Sequence, residues 1–221
     1  MQDYMDMRPH HLPGRLITFC GLDGCGKTTS IRLLENWLAG QGYEVLLTKQ
    51  PTPFMRETPI FRSVQDTPNH EGYDYRAMSL MAAADRLQHC AQVIVPALRE
   101  GKIVVSDRYF FSCLANLRAR GYGEDRWIDD VARYIPRPDA AFFLDIDPAV
   151  AIARVRSRPE EKDRFIDVPL QHRLRGEYLD IARRMGGTVV PTDGGIFASM
   201  AKIRDTVCQV LWQSERQYAH A

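Results

Sequence analysis

A short glycine-rich stretch near the start of the chain carries the clearest chemistry in the sequence. It reads Gly21-Leu22-Asp23-Gly24-Cys25-Gly26-Lys27-Thr28-Thr29 and fits the pattern G-x-x-x-x-G-K-[ST]. Glycines let successive backbone N–H groups turn toward anionic oxygens at the positive end of a following helix. Lys27 would reach the β and γ phosphates of a nucleotide, and the Thr28 hydroxyl would bind Mg2+. The pattern therefore predicts a nucleotide phosphate site.

The flanking residues have the context that this motif requires. Leu16–Cys20 is apolar and β-prone, and Thr29–Ala39 has apolar residues at helical spacing. A chance glycine-rich turn would not need a strand before it and a helix after it, so we favour the phosphate loop. Cofactor binding is accordingly assigned to Gly21, Asp23, Gly24, Cys25, Gly26, Lys27, Thr28 and Thr29.

Two further charged segments follow later strands. Asp107 and Arg108 come directly after the apolar run Ile103–Val105, where an aspartate can hold Mg2+ and an arginine can bind a phosphate in a forked geometry. A run rich in arginines and carboxylates covers residues 154–164, at the end of the helix that follows the fourth strand. A solvated charged face is the ordinary explanation, but at this position the segment predicts a lid that neutralises the transferring phosphoryl group.

Composition limits the other functions. The chain has 221 residues, of which 45% are hydrophobic and 26% charged, and its net charge of +1 gives no reason to expect a nucleic-acid or membrane partner. The five cysteines have no spacing typical of a zinc site or a disulfide framework, so we expect free thiols. No apolar run approaches the roughly 18 residues that cross a bilayer. We expect a cytoplasmic protein.

Strand and helix patterns alternate along the chain. Apolar strand signals occur at 16–20, 43–48, 103–105, 141–144 and 188–190. The longest helical stripe covers about 75–100, and a short helix is expected near residues 55–64. This alternation predicts a parallel sheet with helices on both faces and ligands at the carboxyl ends of its strands. We expect a flexible leader over residues 1–14 and a single α/β domain over 15–221, with a lid at about 154–166.

Beyond these patterns, the chain resembles the thymidylate kinase family of nucleoside monophosphate kinases from Leu16 to about Gln213. The resemblance rests on the glycine loop, the run Ala83-Ala84-Asp85-Arg86-Leu87-Gln88-His89, Ser106-Asp107-Arg108-Tyr109, Arg137-Pro138-Asp139 and Asp163-Arg164-Phe165. It implies a phosphate-loop fold of three layers with strand order 2-3-1-4-5. It also implies phosphoryl transfer from ATP and Mg2+ to a 5′-monophosphate in nucleotide biosynthesis, and a homodimer formed through the helix around 76–99.

The resemblance also implies roles for single residues. Asp23 corresponds to a residue that faces the acceptor's sugar, and Arg86 and Arg108 to residues on its base and phosphate side. Cys25 stands where some members have a basic residue, which resembles the subclass whose lid supplies the catalytic arginine. The predicted catalytic residues are Lys27, Asp107, Arg108, Arg158 and Arg164, with Arg156 the next lid candidate, and Thr28 and Asp107 are the predicted metal ligands.

The acceptor pocket departs from the family pattern. Ala82 stands where a phenylalanine usually stacks on thymine, and Asn116 where a tyrosine usually packs under the sugar. Cys113 replaces a polar residue that often meets the base. With Asp23, Pro51, Arg86 and Arg108, these residues form the predicted acceptor site. We therefore expect a modified or bulkier pyrimidine nucleotide or a ribonucleotide as acceptor, with an ordinary thymidylate kinase as the alternative.

Two other classes of function fit the sequence less well than a kinase. A nucleotide-binding switch would read guanine through an Asn-Lys-x-Asp motif, which the sequence lacks, and would give the lid arginines no task. An inactive regulatory homologue would not need the intact Gly26, Lys27, Thr28, Asp107 and Arg108. The sequence thus favours an active kinase.

Overall fold

The short apolar runs of the sequence form the strands of one sheet. A computed structural model of the protein describes residues 5–66 and 72–218. The strands are β1 (Arg15–Gly21), β2 (Val45–Lys49), β3 (Ile103–Asp107), β4 (Ala140–Asp145) and β5 (Thr188–Pro191). They are parallel throughout and lie in the order β2-β3-β1-β4-β5, which confirms the predicted topology.

Helices cover both faces of this sheet, as parallel strands require. The helices are α1 (Lys27–Gly40), α2 (Pro53–Arg56), α3 (Pro59–Asp66), α4 (Tyr75–His89), α5 (Val95–Arg99), α6 (Phe110–Ala119), α7 (Trp127–Ala132), α8 (Pro148–Arg156), α9 (Val168–Met185) and α10 (Ile196–Tyr218). In the part of the chain that the structure describes, no helix is long and apolar enough to cross a membrane.

The central strand β1 is buried on both faces. Leu16, Ile17 and Phe19 are fully buried, and the Phe19 ring lies 5.1 Å from that of Phe142 on β4. A strand in this position needs an unbroken apolar run instead of alternation, which is what the sequence provides. The glycine loop is therefore attached to the buried central strand of the sheet.

Two helical predictions differ in detail from the structure. The stripe predicted over 75–100 is α4 and α5 joined through a π-helical turn at Cys90–Ile94, and the turn comes just before Pro96. Proline cannot donate the hydrogen bond that a regular helix needs at this point, so the wider turn accommodates it. The short helix predicted near residues 55–64 is two helices, α2 and α3, because Pro59 starts a new one.

Residues 5–14 are packed against the domain, which differs from the expected flexible leader. Met5 and Met7 are each only 3% exposed. Arg8 pairs with Pro136 as an isolated parallel bridge, and the His10 Nε2 atom lies 3.0 Å from the Asp139 carboxylate. The two methionines have no helical or strand period, so periodicity could not reveal their burial. Residues 1–4 of the predicted leader lie outside the described part of the chain.

A buried histidine joins the loop after β2 to α4. The Gln50 side-chain N–H donates to His89 Nδ1 at 3.0 Å, so the opposite ring nitrogen carries the proton and donates to the Thr48 hydroxyl at 2.8 Å. Burial lowers the pKa of His89, and Arg86 adds to the effect while Asp85 opposes it. The neutral ring therefore holds Pro51 and its neighbours at the edge of the sheet.

This pair of hydrogen bonds makes stability depend on pH. Because the folded-state pKa of His89 lies below the ordinary value of 6.5, the contribution of the neutral ring is complete above pH 6.5 and declines as the pH falls below it. We expect the His89→Gln variant to be less stable by about 1 kcal/mol at pH 7.5 and to lose less stability between pH 7.5 and pH 5.5. Urea unfolding at both values measures this. The exposed His172→Gln serves as control, and parallel losses in wild type and His89→Gln would contradict the account.

Candidate active site

An open cleft of about 340 Å³ lies at the carboxyl ends of β1, β2 and β3. Nearly all the predicted site residues line it together: Gly21, Asp23, Gly24, Gly26, Lys27, Thr28, Thr29, Pro51, Ala82, Arg86, Asp107, Arg108, Cys113, Asn116, Arg158 and Arg164. Parallel strands end at a common edge, which explains why residues so far apart in sequence meet there.

The glycine loop turns sharply before α1 begins at Lys27. Gly24 and Gly26 have φ angles of +83° and +98°, which other residues rarely adopt, and a Cβ atom on Gly24 would come within 2.2 Å of the Ala151 carbonyl oxygen. The Lys27 ammonium is nearly buried and donates to the Leu22 carbonyl at 2.7 Å and the Gly21 carbonyl at 3.2 Å. The loop therefore presents the positive end of α1 and one fixed cation to the cleft.

Cys25 is the exception among the predicted loop residues. Its side chain is fully buried and does not line the cleft, and its Sγ atom lies 3.8 Å from the Lys27 Nζ atom. Only the backbone of Cys25 is thus available to a ligand. A small side chain at this position fits because it packs under the loop beside Gly21.

Asp23 is the electrostatic centre of the cleft. Its Oδ1 atom accepts a short hydrogen bond of 2.5 Å from Arg108, its Oδ2 atom accepts one of 3.0 Å from Arg164, and the Lys27 ammonium lies 4.0 Å away. Burial alone would raise the pKa of Asp23, but Arg108, Lys27 and Arg164 together outweigh burial and hold this pKa far below its ordinary value. The carboxylate stays ionised and joins the loop, the end of β3 and the predicted lid segment.

Arg108 is fixed by its backbone as well as by Asp23. Its φ angle is +66°, a left-handed conformation that costs a residue with a side chain about 1–3 kcal/mol. Its N–H donates to the Phe19 carbonyl at 2.8 Å, and the Ser106 hydroxyl donates to its carbonyl at 2.7 Å. The guanidinium also donates to the Tyr178 hydroxyl at 3.1 Å. These bonds hold Arg108 across the end of β1.

Asp107 has one paired and one unpaired carboxylate oxygen. Its Oδ2 atom lies 3.2 Å from the Lys49 ammonium, whereas its Oδ1 atom is buried and has no hydrogen-bond partner among the described residues. Mg2+ prefers carboxylate oxygens, water and substrate phosphates over a cage made of protein alone. In the described residues, no cluster of three or more His, Cys, Asp or Glu side chains could hold a metal ion. The arrangement fits a Mg2+ ion bound mainly through a nucleotide.

The charged segment at residues 154–166, for which the sequence predicts a lid, turns back toward the loop. A short 3-10 turn at Pro159–Glu161 brings the Glu161 carboxylate to 3.2 Å from Arg158 and 3.7 Å from Arg164. Arg158 and Arg164 both line the cleft, and Arg164 also reaches Asp23. Arg156 is exposed at the end of α8 and does not line the cleft. Of the three arginines predicted as catalytic candidates, Arg158 and Arg164 therefore lie at the cleft, whereas Arg156 does not.

The end of the cleft that is farther from the glycine loop, called the remote end, lies between α4 and α6. Ala82 and Cys113 face it with small, buried side chains, and the Arg86 guanidinium donates to the Ala82 carbonyl at 2.7 Å. The Nε atom of Arg86 is buried and has no partner among the described residues. The Asn116 amide donates to the Ser112 carbonyl at 2.9 Å. This end offers a recess with hydrogen-bonding groups and no aromatic ring at position 82.

Several residues that line the cleft are not predicted from the sequence, among them Arg56, Tyr75, Arg120 and Tyr178. The Nε atom of Arg56 donates to the Pro51 carbonyl at 2.8 Å, and burial, together with Arg108, lowers the pKa of its guanidinium. Tyr178 has the inward spacing of the α9 core stripe, so periodicity marks it as a core residue and hides its bond to Arg108. Only tertiary contacts reveal these four.

Comparisons with known proteins agree with this geometry. The family model described as thymidylate kinase matches residues 19–196. A protein of Pyrococcus horikoshii named "Probable thymidylate kinase" is 40% identical over 173 residues, which cover 76% of this chain and 83% of that protein. A "Thymidylate kinase" of a Geobacillus species is 35% identical over 82% of this chain and 89% of its own. Another "Thymidylate kinase", from a Nostoc species, is 30% identical over 90% of this chain and 95% of its own length.

Fold and cleft together define a phosphotransferase of the nucleoside monophosphate kinase class. The five-stranded parallel sheet carries the phosphate loop at the end of β1, and arginines from β3 and the lid meet the loop in one cleft. With the family match over most of its length, the chain belongs to the thymidylate kinase family.

The pairing of Asp23 with two arginines leads to a direct test. The Asp23→Asn substitution keeps the size of the side chain but removes the charge that attracts Arg108 and Arg164, so these arginines lose their orientation. Misplacement of such groups by about 1 Å costs on the order of 100-fold in rate, and we expect kcat/KM to fall by about that factor. Steady-state kinetics measures it. The control Asp180→Asn also breaks arginine pairs but lies outside the cleft. Its kcat/KM should stay within about twofold of the wild-type value. Equal behaviour of the two variants would contradict this role.

Proposed function

We propose that the protein transfers the γ-phosphoryl group of ATP, taken as its Mg2+ complex, to the 5′-phosphate of a pyrimidine nucleoside monophosphate. The observation that carries the proposal is the meeting of the phosphate loop, Arg108 and the lid residue Arg164 around the Asp23 carboxylate. A cleft that bound only one nucleotide would not need both Arg108 and Arg164 beside the loop. Two phosphorylated substrates would.

The chemistry requires positioning and charge neutralisation, without a covalent intermediate. An oxygen of the acceptor phosphate attacks the γ-phosphorus, the bond to the β–γ bridging oxygen breaks, and ADP leaves. Lys27 and the loop N–H groups would hold the β and γ phosphates, Arg108 the acceptor phosphate, and Arg158 and Arg164 the charge on the transferring group. The acceptor phosphate is already an anion, so Asp107 is a metal or positioning residue and not a base.

The remote end of the cleft determines which acceptor fits. The relatives' names make thymidylate the reference acceptor. Ala82, Cys113 and Asn116 line the pocket where the family usually has larger or different side chains, and losing an aromatic stacking surface weakens base binding by about 1–3 kcal/mol, by analogy with single-strand binding. We therefore keep the prediction that a modified pyrimidine nucleotide or a ribonucleotide competes with thymidylate in this site.

The test is an assay of ADP formation with ATP over a panel of ribo- and deoxynucleoside monophosphates. We expect acceptor-dependent turnover, with at least one other pyrimidine nucleotide used as well as thymidylate. Preference for thymidylate by orders of magnitude would identify an ordinary thymidylate kinase and refute the altered pocket. Turnover without any acceptor would indicate a nucleotide switch instead, and binding without turnover an inactive homologue.

Thr28 and Asp107 are the residues proposed to hold Mg2+, directly or through water. Thr28 lines the cleft at the start of α1, and Asp107 lines it at the same edge with a buried Oδ1 atom that has no hydrogen-bond partner in the part of the chain that the structure describes. When bound, the ion would neutralise the β and γ phosphates. Asp107→Asn should therefore raise the Mg2+ concentration for half-maximal activity by about tenfold.

A direct binding measurement separates this role from the ion pair with Lys49. Titration of Mn2+ in the presence of ADP, followed by electron paramagnetic resonance, should show the same loss of affinity in Asp107→Asn. The Lys49→Gln variant breaks the ion pair but keeps the carboxylate, so its Mn2+ affinity should stay close to that of wild type. Equal losses in both variants would contradict a metal role for Asp107.

We also propose that the protein forms a homodimer through the outer face of α4. Leu80 and Met81 are 48% and 42% exposed there, and Ala77 and Ala84 continue the same apolar stripe. Such a stripe on an exposed helix face is typical of an interaction surface.

The five free thiols further support the expected cytoplasmic location.

Sedimentation velocity tests the dimer. Leu80→Arg would place two like charges close to each other at the interface, and we expect it to raise the dimer dissociation constant by about 100-fold or more. Phe197→Arg is the matched control because Phe197 is 90% exposed on α10, away from this face. A monomeric wild type, or equal effects of the two substitutions, would contradict the proposed interface.

A further inference from the structure

A cation without a carboxylate partner stands at the remote end of the cleft. Arg108 and Arg164 pair with Asp23, and Arg158 pairs with Glu161, whereas Arg120 has no carboxylate within 4.0 Å among the described residues. Arg120 is half-buried and lines the same cleft. Its charge and its hydrogen-bond donors are therefore available to a ligand.

The side chain of Arg120 is held in one orientation. Its guanidinium carbon lies 4.3 Å from the centre of the Tyr75 ring, and its Nη1 atom donates to the side-chain amide oxygen Oδ1 of Asn116 at 2.9 Å. Tyr75 in turn stacks on Tyr122, with ring centres 6.2 Å apart and planes at 14°. Stacking uses the face of the guanidinium and leaves its in-plane N–H groups free for hydrogen bonds. Arg120 is thus a preorganised donor.

Its neighbour Asn116 is also turned into a donor. The amide oxygen accepts from Arg120, while the amide nitrogen donates one of its two hydrogens to the Ser112 carbonyl. The remaining amide hydrogen and the free guanidinium hydrogens are all donors. Ser79, Ala82 and Cys113 are small and leave space beside them. This recess therefore selects a ligand that presents an oxygen acceptor.

The position of Arg120 decides which part of the substrate it meets. Arg108 precedes α6 and Arg120 follows it, and the ten residues of α6 span about 15 Å at 1.5 Å per residue. An acceptor whose phosphate lies at Arg108 would extend its nucleoside half toward Arg120. The donors at this end therefore read the nucleoside and not the reacting phosphate.

Building on the proposed function, we infer that Arg120, oriented by Tyr75 and Asn116, is the specificity-determining residue of the acceptor site. It recognises an oxygen atom on the nucleoside half of a pyrimidine monophosphate. That oxygen comes either from a hydroxyl on a substituent of the base or from the 2′-hydroxyl of a ribose. Both sources offer the same chemistry to a guanidinium, and the experiment distinguishes them.

Two pairs of acceptors that differ by one oxygen test the inference. 5-Hydroxymethyl-deoxyuridine monophosphate and thymidylate differ on the base, and uridine and deoxyuridine monophosphates differ on the sugar. In wild type we expect kcat/KM to favour the oxygen-bearing member of one pair by at least about tenfold. Arg120→Met should reduce that ratio to about one and change kcat/KM for the other member by less than about threefold.

Control variants separate recognition from folding. Arg120→Lys keeps the charge without the planar fork, so its ratio of kcat/KM values should lie between those of wild type and Arg120→Met. This conservative variant also keeps the test valid if Arg120→Met does not fold. Arg133→Met, an exposed arginine paired with Asp130, should leave both ratios unchanged. Equal use of both members of each pair by wild type, or a ratio that survives in Arg120→Met, would overturn the inference. If no monophosphate is turned over, the proposed function fails, and the same ratios measured as Kd by calorimetry then decide on Arg120 separately.

Discussion

A cleft that receives two phosphorylated ligands must hold several cations close together, and the Asp23 carboxylate makes this possible here. Lys27 comes from the phosphate loop, Arg108 from the end of β3 and Arg164 from the lid, and all three lie within 4.0 Å of Asp23. Two like charges 4 Å apart repel each other by about 4 kcal/mol at an effective dielectric constant of 20. A single anion among them offsets this repulsion and gives each cation a fixed direction.

Hydrogen bonds from neighbouring helices and from the central strand support this arrangement. The Tyr178 hydroxyl on α9 accepts from Arg108 and donates to the Ser112 hydroxyl at 3.1 Å, and Ser112 donates to the Cys20 sulfur at 3.6 Å. This chain of hydrogen bonds links the helix after the lid to α6 and to the central strand. The strained backbone of Arg108 is tolerated because bonds to β1 and to Ser106 fix it from both sides.

The sequence predicts the sheet and the phosphate loop well because both depend on local patterns. Apolar runs specify buried strands, and the glycines with Lys27 specify the loop. Met5 and Met7 were missed because their burial depends on a surface formed by distant residues and not on any period. The same reason applies to Arg120 and Tyr178, whose partners lie on other turns and helices. The direction of the Cys25 side chain also follows from packing under the loop, which no motif describes.

The most direct test of this account is a double-mutant cycle between Asp23→Asn and Arg164→Gln, measured as kcat/KM for phosphoryl transfer. If Asp23 acts by holding the lid arginine, removing the second partner after the first costs little. The double variant should then be only slightly less active than the worse single variant. If the two losses multiply instead, Asp23 and Arg164 act independently, and the carboxylate does not organise the lid.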